Sequence, residues 1–250
     1  MAELPVLPED WERCLAVVAH PDDIEYGSAA AVARWTAQGK TVSYLLVTRG
    51  EAGIDAIPPE RAGPLREEEQ RRAARVVGVD DVVFLDHPDG VVEYGPALRR
   101  DIVREIRRRR PDVIVTGAFG VRAFGGMTNQ ADHRAVGLAT LDAARDAGNR
   151  WIFPGEGGEP WGGVRYVCAD GEDTPTHGVD VTGEPLERGI AALEAHAAYL
   201  AGLGADTGAP PARQLLTWAA HRAGPAIGAT AAVLFDVHAL RFDGPPPWAE

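Results

Sequence analysis

"LAVVAHPDDIEYGSAA" occupies positions 15–30, and its two halves read differently. Leu15 to Ala19 is a short apolar run, the pattern of a strand buried on both faces. It leads directly into His20-Pro21-Asp22-Asp23, then a glycine and a run of small residues that suits a helix. Two adjacent carboxylates at the end of a core strand repel each other, and both must be solvated or paired. The stretch therefore predicts an α/β unit whose first strand ends at a site that expects positive charge.

The alternation continues outward from it. Apolar runs at Val42–Val47, Val82–Leu85 and Val113–Thr116 are separated by helical stretches at Ser28–Gln38, Pro64–Val77 and Pro96–Arg109. Gly39, Gly78 and Pro111 stand where those helices should stop. Short buried strands alternating with helices predict right-handed crossovers and a Rossmann-like, mostly parallel sheet with helices on both faces. A further helix is expected over Asp132–Ala147. Beyond Arg150 the pattern loosens, with Gly and Pro crowding 154–163. Strands are expected at Val164–Cys168, Val179–Val181 and Ala231–His238, with one helix over Pro185–Leu203. Residues 204–230 show no clear period and are read as a lid or a homo-oligomer contact. The whole, 1–250, is read as one domain with a core of 14–150 and a looser extension of 151–250.

Composition narrows the function. A chain of 250 residues with 45% hydrophobic and 25% charged residues can bury an ordinary globular core. A net charge of -12 with no basic stripe argues against a nucleic-acid partner. The basic run Arg104 to Arg110 is assigned to the solvated face and end of a helix. Cys14 and Cys168 lie in apolar strand-like runs and are read as buried thiols of a reducing cytoplasm. No apolar run approaches a membrane span, and the acidic, proline-broken start MAELPVLPEDWER is unlike a signal peptide. A cytoplasmic protein is expected, with no membrane partner.

In an open α/β sheet, ligands bind outside the carboxyl ends of the strands. That singles out 20–27, 48–53 (TRGEAG), 86–93 (DHPDGVVE) and 117–133. His20, Asp23 and His133 together offer two nitrogens and one oxygen with a position left for water, the ligand set of a catalytic zinc site. Asp22 would stand beside that water. Plainer readings exist for the same residues. A strand-end histidine can be a satisfied polar group, and an Asp-Asp pair can cap a helix. Two histidines and a carboxylate also suit non-haem iron. No G-x-G-x-x-G follows the first strand, which argues against a dinucleotide site.

AHPDD at 19–23, TRGEAG at 48–53, Arg66 and Glu69 in LREEEQRRAARVVGV, and DHRAVG at 132–137 follow one another in an order that resembles the PIG-L/LmbE family. The resemblance covers residues 14–145 and implies a zinc-dependent N-acetylglucosaminyl deacetylase or related amidase. It implies one Zn2+ per chain on His20, Asp23 and His133, with Asp22 as the general base. Arg66, and with it Glu51, would line the pocket for a small N-acetylated sugar or conjugate. One departure stands out. The family's H-P-D-H motif is here Gln130-Ala131-Asp132-His133, so its first histidine is a glutamine. Gln130 can hydrogen-bond an oxyanion but cannot deliver a proton near neutral pH. Asp132, which in the family holds that histidine, is expected to lose its partner.

His87-Pro88-Asp89 repeats the triplet without the second acid; Asp89 is read as a sugar-hydroxyl contact and His87 as structural. His196 is a candidate to approach the site, while His177, His221 and His238 earn no role. Two rival functions stay open: a zinc-binding protein with little hydrolysis, supported by Gln130, and a non-haem iron enzyme, supported only by the ligand triad.

Overall fold

The computed structural model describes residues 3–203 and 210–241. Strands β1 (Arg13–Val18), β2 (Thr41–Leu46), β3 (Asp81–Phe84) and β4 (Val113–Gly117) alternate with α1 (Asp23–Tyr26), α2 (Ala29–Ala37), α3 (Pro59–Val76) and α4 (Pro96–Arg109). A hairpin of β5 (Arg122–Ala123) and β6 (Met127–Thr128) precedes α5 (Ala131–Asp146). There follow β7 (Tyr166–Asp170), β8 (His177–Asp180), α6 (Glu184–Glu194), α7 (Ala197–Gly202), α8 (Ala212–Ala223) and β9 (Ala232–Ala239). Seven strands form one sheet in the order β3-β2-β1-β4-β7-β9-β8. The pairs from β3 through β7 are parallel, and β9 runs antiparallel to both its neighbours.

The apolar run of β1 is continuous because both its faces are covered. Cys14, Ala16 and Val18 pack into the layer that holds Trp35, Ala74 and Ile190, under α2, α3 and α6. Leu15 and Val17 join Ile102, Ile106, Val136 and Ala139, under α4 and α5. From β1 the chain winds outward to β3 and then returns to β1's other side as β4. Strand order reverses between β1 and β4, so the crevice beyond their carboxyl ends is the switch point of the sheet. The segments 19–23 and 118–133 both leave from there.

Several expectations are corrected. The third helix starts at Pro59 and runs through Pro64. Pro64 stands in the second turn, where its missing N–H leaves the Glu60 carbonyl without its helical donor and its ring crowds that carbonyl. The single helix expected over Pro185–Leu203 is two, broken at His196 (φ -83, ψ 50). The reason lies in another element: Glu69 of α3 accepts the Ala198 and Tyr199 N–H groups at 2.6 and 3.3 Å and caps α7. In the expected lid, residues 212–223 form α8, and Leu216 and Ala220 pack into the α2–α6 layer. Positions 204–209 lie outside the described residues. The loose extension supplies three strands of the main sheet.

The basic run also differs from expectation at one position. Arg107 is 2% exposed, not solvated, and donates to the carbonyls of Ala147, Asn149, Ile152, Phe153 and Glu156. Cys14 and Cys168 are buried thiols, as expected. Among the described residues no helix is long and apolar enough to cross a membrane.

Candidate metal centre and its neighbouring base

The turn after β1 is built around Asp23. Its Oδ2 accepts the backbone N–H of Ala19 at 3.1 Å and of His20 at 2.8 Å, which pins the turn and aims Oδ1 outward. Oδ1 lies 3.1 Å from Nε2 of His133, in the first turn of α5. The other ring nitrogen of His133, Nδ1, is 3.1 Å from Asn129 Oδ1. Asn129 donates through Nδ2 to the Ala118 and Gly120 carbonyls, at 2.7 and 3.1 Å, so its oxygen is left as an acceptor. Nδ1 of His133 must then carry a hydrogen, and Nε2 presents a lone pair unless a second proton makes the ring a cation. A lone pair facing a carboxylate oxygen at 3.1 Å requires a cation, a proton or a metal, between or beside them.

His20 completes the set. Its Nε2 is 3.0 Å from Asp89 Oδ1 and 3.3 Å from Asp132 Oδ2, while Nδ1 faces Asp23 Oδ2 at 3.6 Å. Carboxylates behind the outer nitrogen orient the ring and leave the inner one for a metal. The donor atoms of His20, Asp23 and His133 lie within 4.8 Å of one another, and so do those of His20, Asp89 and Asp132. The second group is committed elsewhere. Asp132 accepts the Gly90 and Val92 N–H groups at 2.7 and 3.0 Å, and Asp89 Oδ2 accepts Ala52 N–H at 2.8 Å. The first group fits a cation; the second fits the N–H of His20. Asp132, expected to be left without a partner, therefore has three.

Asp22 belongs to a different environment. It is 4% exposed and left-handed at φ 90. Its N–H donates to Gln70 Oε1 at 2.9 Å, and its Oδ1 accepts from Arg66 Nη2 at 2.9 Å. Arg66 was expected to touch substrate, but it is 2% exposed, and its Nη1 and Nη2 donors are used internally while Nε has no partner among the described residues. The Nη donors reach Pro21 O (2.6 Å), Gly50 O (2.9 Å) and Asp22, and the guanidinium lies 4.2 Å from the Tyr199 ring. Glu51 is likewise engaged, accepting the N–H groups of Arg49 and Asp89 and so joining two loops. Asp89 has both oxygens occupied and acts on His20, not on an open pocket. His87 pairs with Asp101 at 3.1 Å, a structural contact. His196 is fully buried, 3.4 Å from Glu25 Oε2, and does not open onto the site. Gln130 is exposed at the N-cap of α5, with no side-chain cap bond.

Burial pushes both neighbouring carboxyls upward, and their partners decide the outcome. For Asp23 the charges and hydrogen bonds of His133 and His20 outweigh burial and hold it well below the usual range. For Asp22 burial prevails over Arg66, and with the charge of Asp23 it moves the group up to about 6. Burial would lower His20, but Asp23, Asp132 and Asp89 overrule it and push the ring up to about 12. Three residues escaped sequence reasoning: Asn129, Gln70 and the buried Asp170. Asn129 stands one helical turn before His133, and Gln70 follows the glutamate of the R-x-x-E segment; both signals were present. Asp170 gave none.

Two histidines and a carboxylate beside a second, raised carboxyl, at the switch point of an α/β sheet, define a candidate metal centre with its own proton acceptor. Residues 15–144 match the family described as PIG-L: GlcNAc-PI de-N-acetylase, and the chain belongs to that family. A 1D-myo-inositol 2-acetamido-2-deoxy-alpha-D-glucopyranoside deacetylase of Kineococcus radiotolerans is 32% identical over 80% of this chain and 72% of its own length. Diacetylchitobiose deacetylase of Thermococcus kodakarensis is 30% identical over 56% of this chain; the alignment spans 51% of that protein. In structure, N,N'-diacetylchitobiose deacetylase from Pyrococcus horikoshii shares the fold at a TM-score of 0.82 and 20% identity, over 96% of this chain and 89% of that one.

Proposed function

We propose that the protein is a zinc-dependent hydrolase that removes an N-acetyl group from an amino sugar or a glycosylated metabolite. One observation carries the reading: His133 Nε2 and Asp23 Oδ1 face each other at 3.1 Å, a pair that requires a proton or a metal ion, beside His20 and next to Asp22. Curated relatives named as deacetylases of acetylated amino sugars support the substrate class. On this reading 1–250 is one domain with one ion per chain on His20, Asp23 and His133, and its partner is a small molecule. A zinc ion there supplies Lewis acidity, bringing a bound water's pKa toward ~7 and polarising an amide carbonyl.

The chain's residues do the rest. Asp132 and Asp89 hold the His20 ring from behind, and Asn129 fixes the tautomer of His133. Asp22, raised to about 6, is suited to take a proton from the attacking water near neutral pH. Arg66 keeps that carboxylate aimed. Gln130, exposed and not titratable, can donate only a hydrogen bond. The proton that Asp22 collects is then the one returned to the leaving amine.

The test is metal analysis of protein purified without chelator, together with amine release from N-acetylglucosamine conjugates. About one zinc per chain with amine release is the expected result. Gln130 favours a second reading, a zinc protein that binds such sugars without cleaving them; zinc with binding but no amine release would establish it. Iron in place of zinc, again without amine release, would turn the assignment toward the iron enzyme.

A further inference from the structure

Asp22 holds a backbone conformation that a non-glycine residue adopts at a cost, and such conformations persist where the surroundings over-determine them. Its holders both come from α3: Gln70 takes its N–H and Arg66 its carboxylate. Those two side chains are themselves held from one place, the break between α6 and α7. Gln70 Nε2 donates to Glu25 Oε1 at 2.9 Å, and Glu25 Oε2 lies 3.4 Å from His196 Nε2, with both side chains fully buried. The Glu25 carboxylate, an acceptor only, fixes which way the Gln70 amide points and so which atom meets Asp22, and the His196 ring packs against that carboxylate. Arg66 is covered by the Tyr199 ring at 4.2 Å, and the Tyr199 hydroxyl also hydrogen-bonds the Asp22 carboxylate. Tyr199 in turn is seated by Glu69, which accepts the N–H groups of Ala198 and Tyr199.

We propose that His196 and Tyr199 are positioning residues for the base: through Gln70, through Arg66 and through the tyrosine hydroxyl they hold Asp22 in its left-handed conformation. They lie beyond residues 15–144, so a segment outside the family match completes the base site. Stability alone is a poor account of the arrangement. A buried ion pair is generally no better for stability than well-packed apolar residues of similar volume, because both charges must be desolvated. Neither ring nitrogen of His196, nor Glu25 Oε2, has a hydrogen-bond partner among the described residues, so the contact is one of proximity and charge. What the carboxylate does fix is direction.

The inference rests on Asp22 being the base of the proposed reaction, and the experiment separates the two. Tyr199→Ala and His196→Gln are compared with wild type for kcat, KM, metal content and crystal structure. In both variants Asp22 should leave its left-handed conformation and kcat should fall about 10–10²-fold, since small misplacements of a reacting group are costly. KM and metal content should stay within about twofold, marking a loss confined to the chemical step. Tyr199→Phe, which keeps the ring over Arg66 but removes the hydroxyl beside Asp22, should fall between Tyr199→Ala and wild type in rate. An unmoved Asp22 with unchanged kcat overturns the inference, and so does a parallel loss of metal. If Tyr199→Ala does not fold, His196→Gln carries the same readings. A wild type that releases no amine breaks the deacetylase reading; the conformation of Asp22 in the variants then decides this inference alone.

Discussion

Asp22 and Asp23 are adjacent in the chain and belong to two different regions of the molecule. Asp23 sits in the crevice between two imidazoles; Asp22 has one carboxylate oxygen held from α3, by one guanidinium already shared with two carbonyls. Burial is common to both and pushes both the same way. The direction each takes is set by how much positive charge is dedicated to it, with Asp23 held low and Asp22 raised to about 6. On the proposed reading, neighbouring carboxylates serve as a charged ligand and a proton acceptor without any change of residue type, because environments that push paired groups apart suit them to different roles.

The contrast can be broken at four points. The largest effect is expected from His133→Ala, which removes the nitrogen facing Asp23: the protein should fold, lose its metal and release no detectable amine. Full metal occupancy by elemental analysis would show that the ion belongs to the His20, Asp89 and Asp132 group instead. Asp22→Asn should keep the metal while kcat drops by about 10²–10⁴-fold, the usual worth of a general base. Metal loss in that variant would exchange the roles of the two aspartates. Asp132→Asn acts one step back, weakening the hold on His20; titration should show metal affinity lower by about 10–100-fold. Unchanged affinity would mean that Asp89 alone orients the ring.

The smallest effect tests a third carboxyl. Asp170, buried at the end of β7, is pushed up to about 7 by burial, against hydrogen bonding from Ser28, with the charge of Asp23 adding to the rise. A folded-state value above the unfolded one means that the group's contribution is complete below the model-peptide value of 3.8 and is lost as pH rises through about 7. In chelated protein, Asp170→Asn should therefore gain in Tm relative to wild type across that window and level off above it, by up to about 10 °C. A difference that does not vary with pH would show that the group is not held protonated.

Much of the first half was legible because local patterns and tertiary burial agree there. β1 to β4 are buried on both faces and read as apolar runs, and the rule for switch points placed His20, Asp23 and His133 together before any coordinates. What stayed hidden depends on partners far along the chain. Asp132 meets His20 across more than a hundred positions, and nothing in Q-A-D-H shows that Gly90 and Val92 supply its other bonds. Arg66 looked like a substrate contact because its motif places it near the site, but only packing shows that the guanidinium turns inward. The periodicity of 185–203 is truly helical; the break at His196 is imposed by Glu69, more than a hundred residues earlier. Gln130 was noticed as a changed residue, but its exposure is a property of the α5 N-cap, not of its identity.

Arg107 has a consequence for how freely this chain can vary. Five carbonyls between Ala147 and Glu156 converge on its one guanidinium, and Asp146 O approaches it at 3.5 Å. Carbonyls are common to every residue, so the crossover from α5 to β7 can drift through many side chains without losing its anchor. The tolerance is one-sided. A lysine at position 107 has a single nitrogen with three protons and cannot replace a planar fork of five donors. One codon therefore bears the constraint that in most loops is spread along the loop itself.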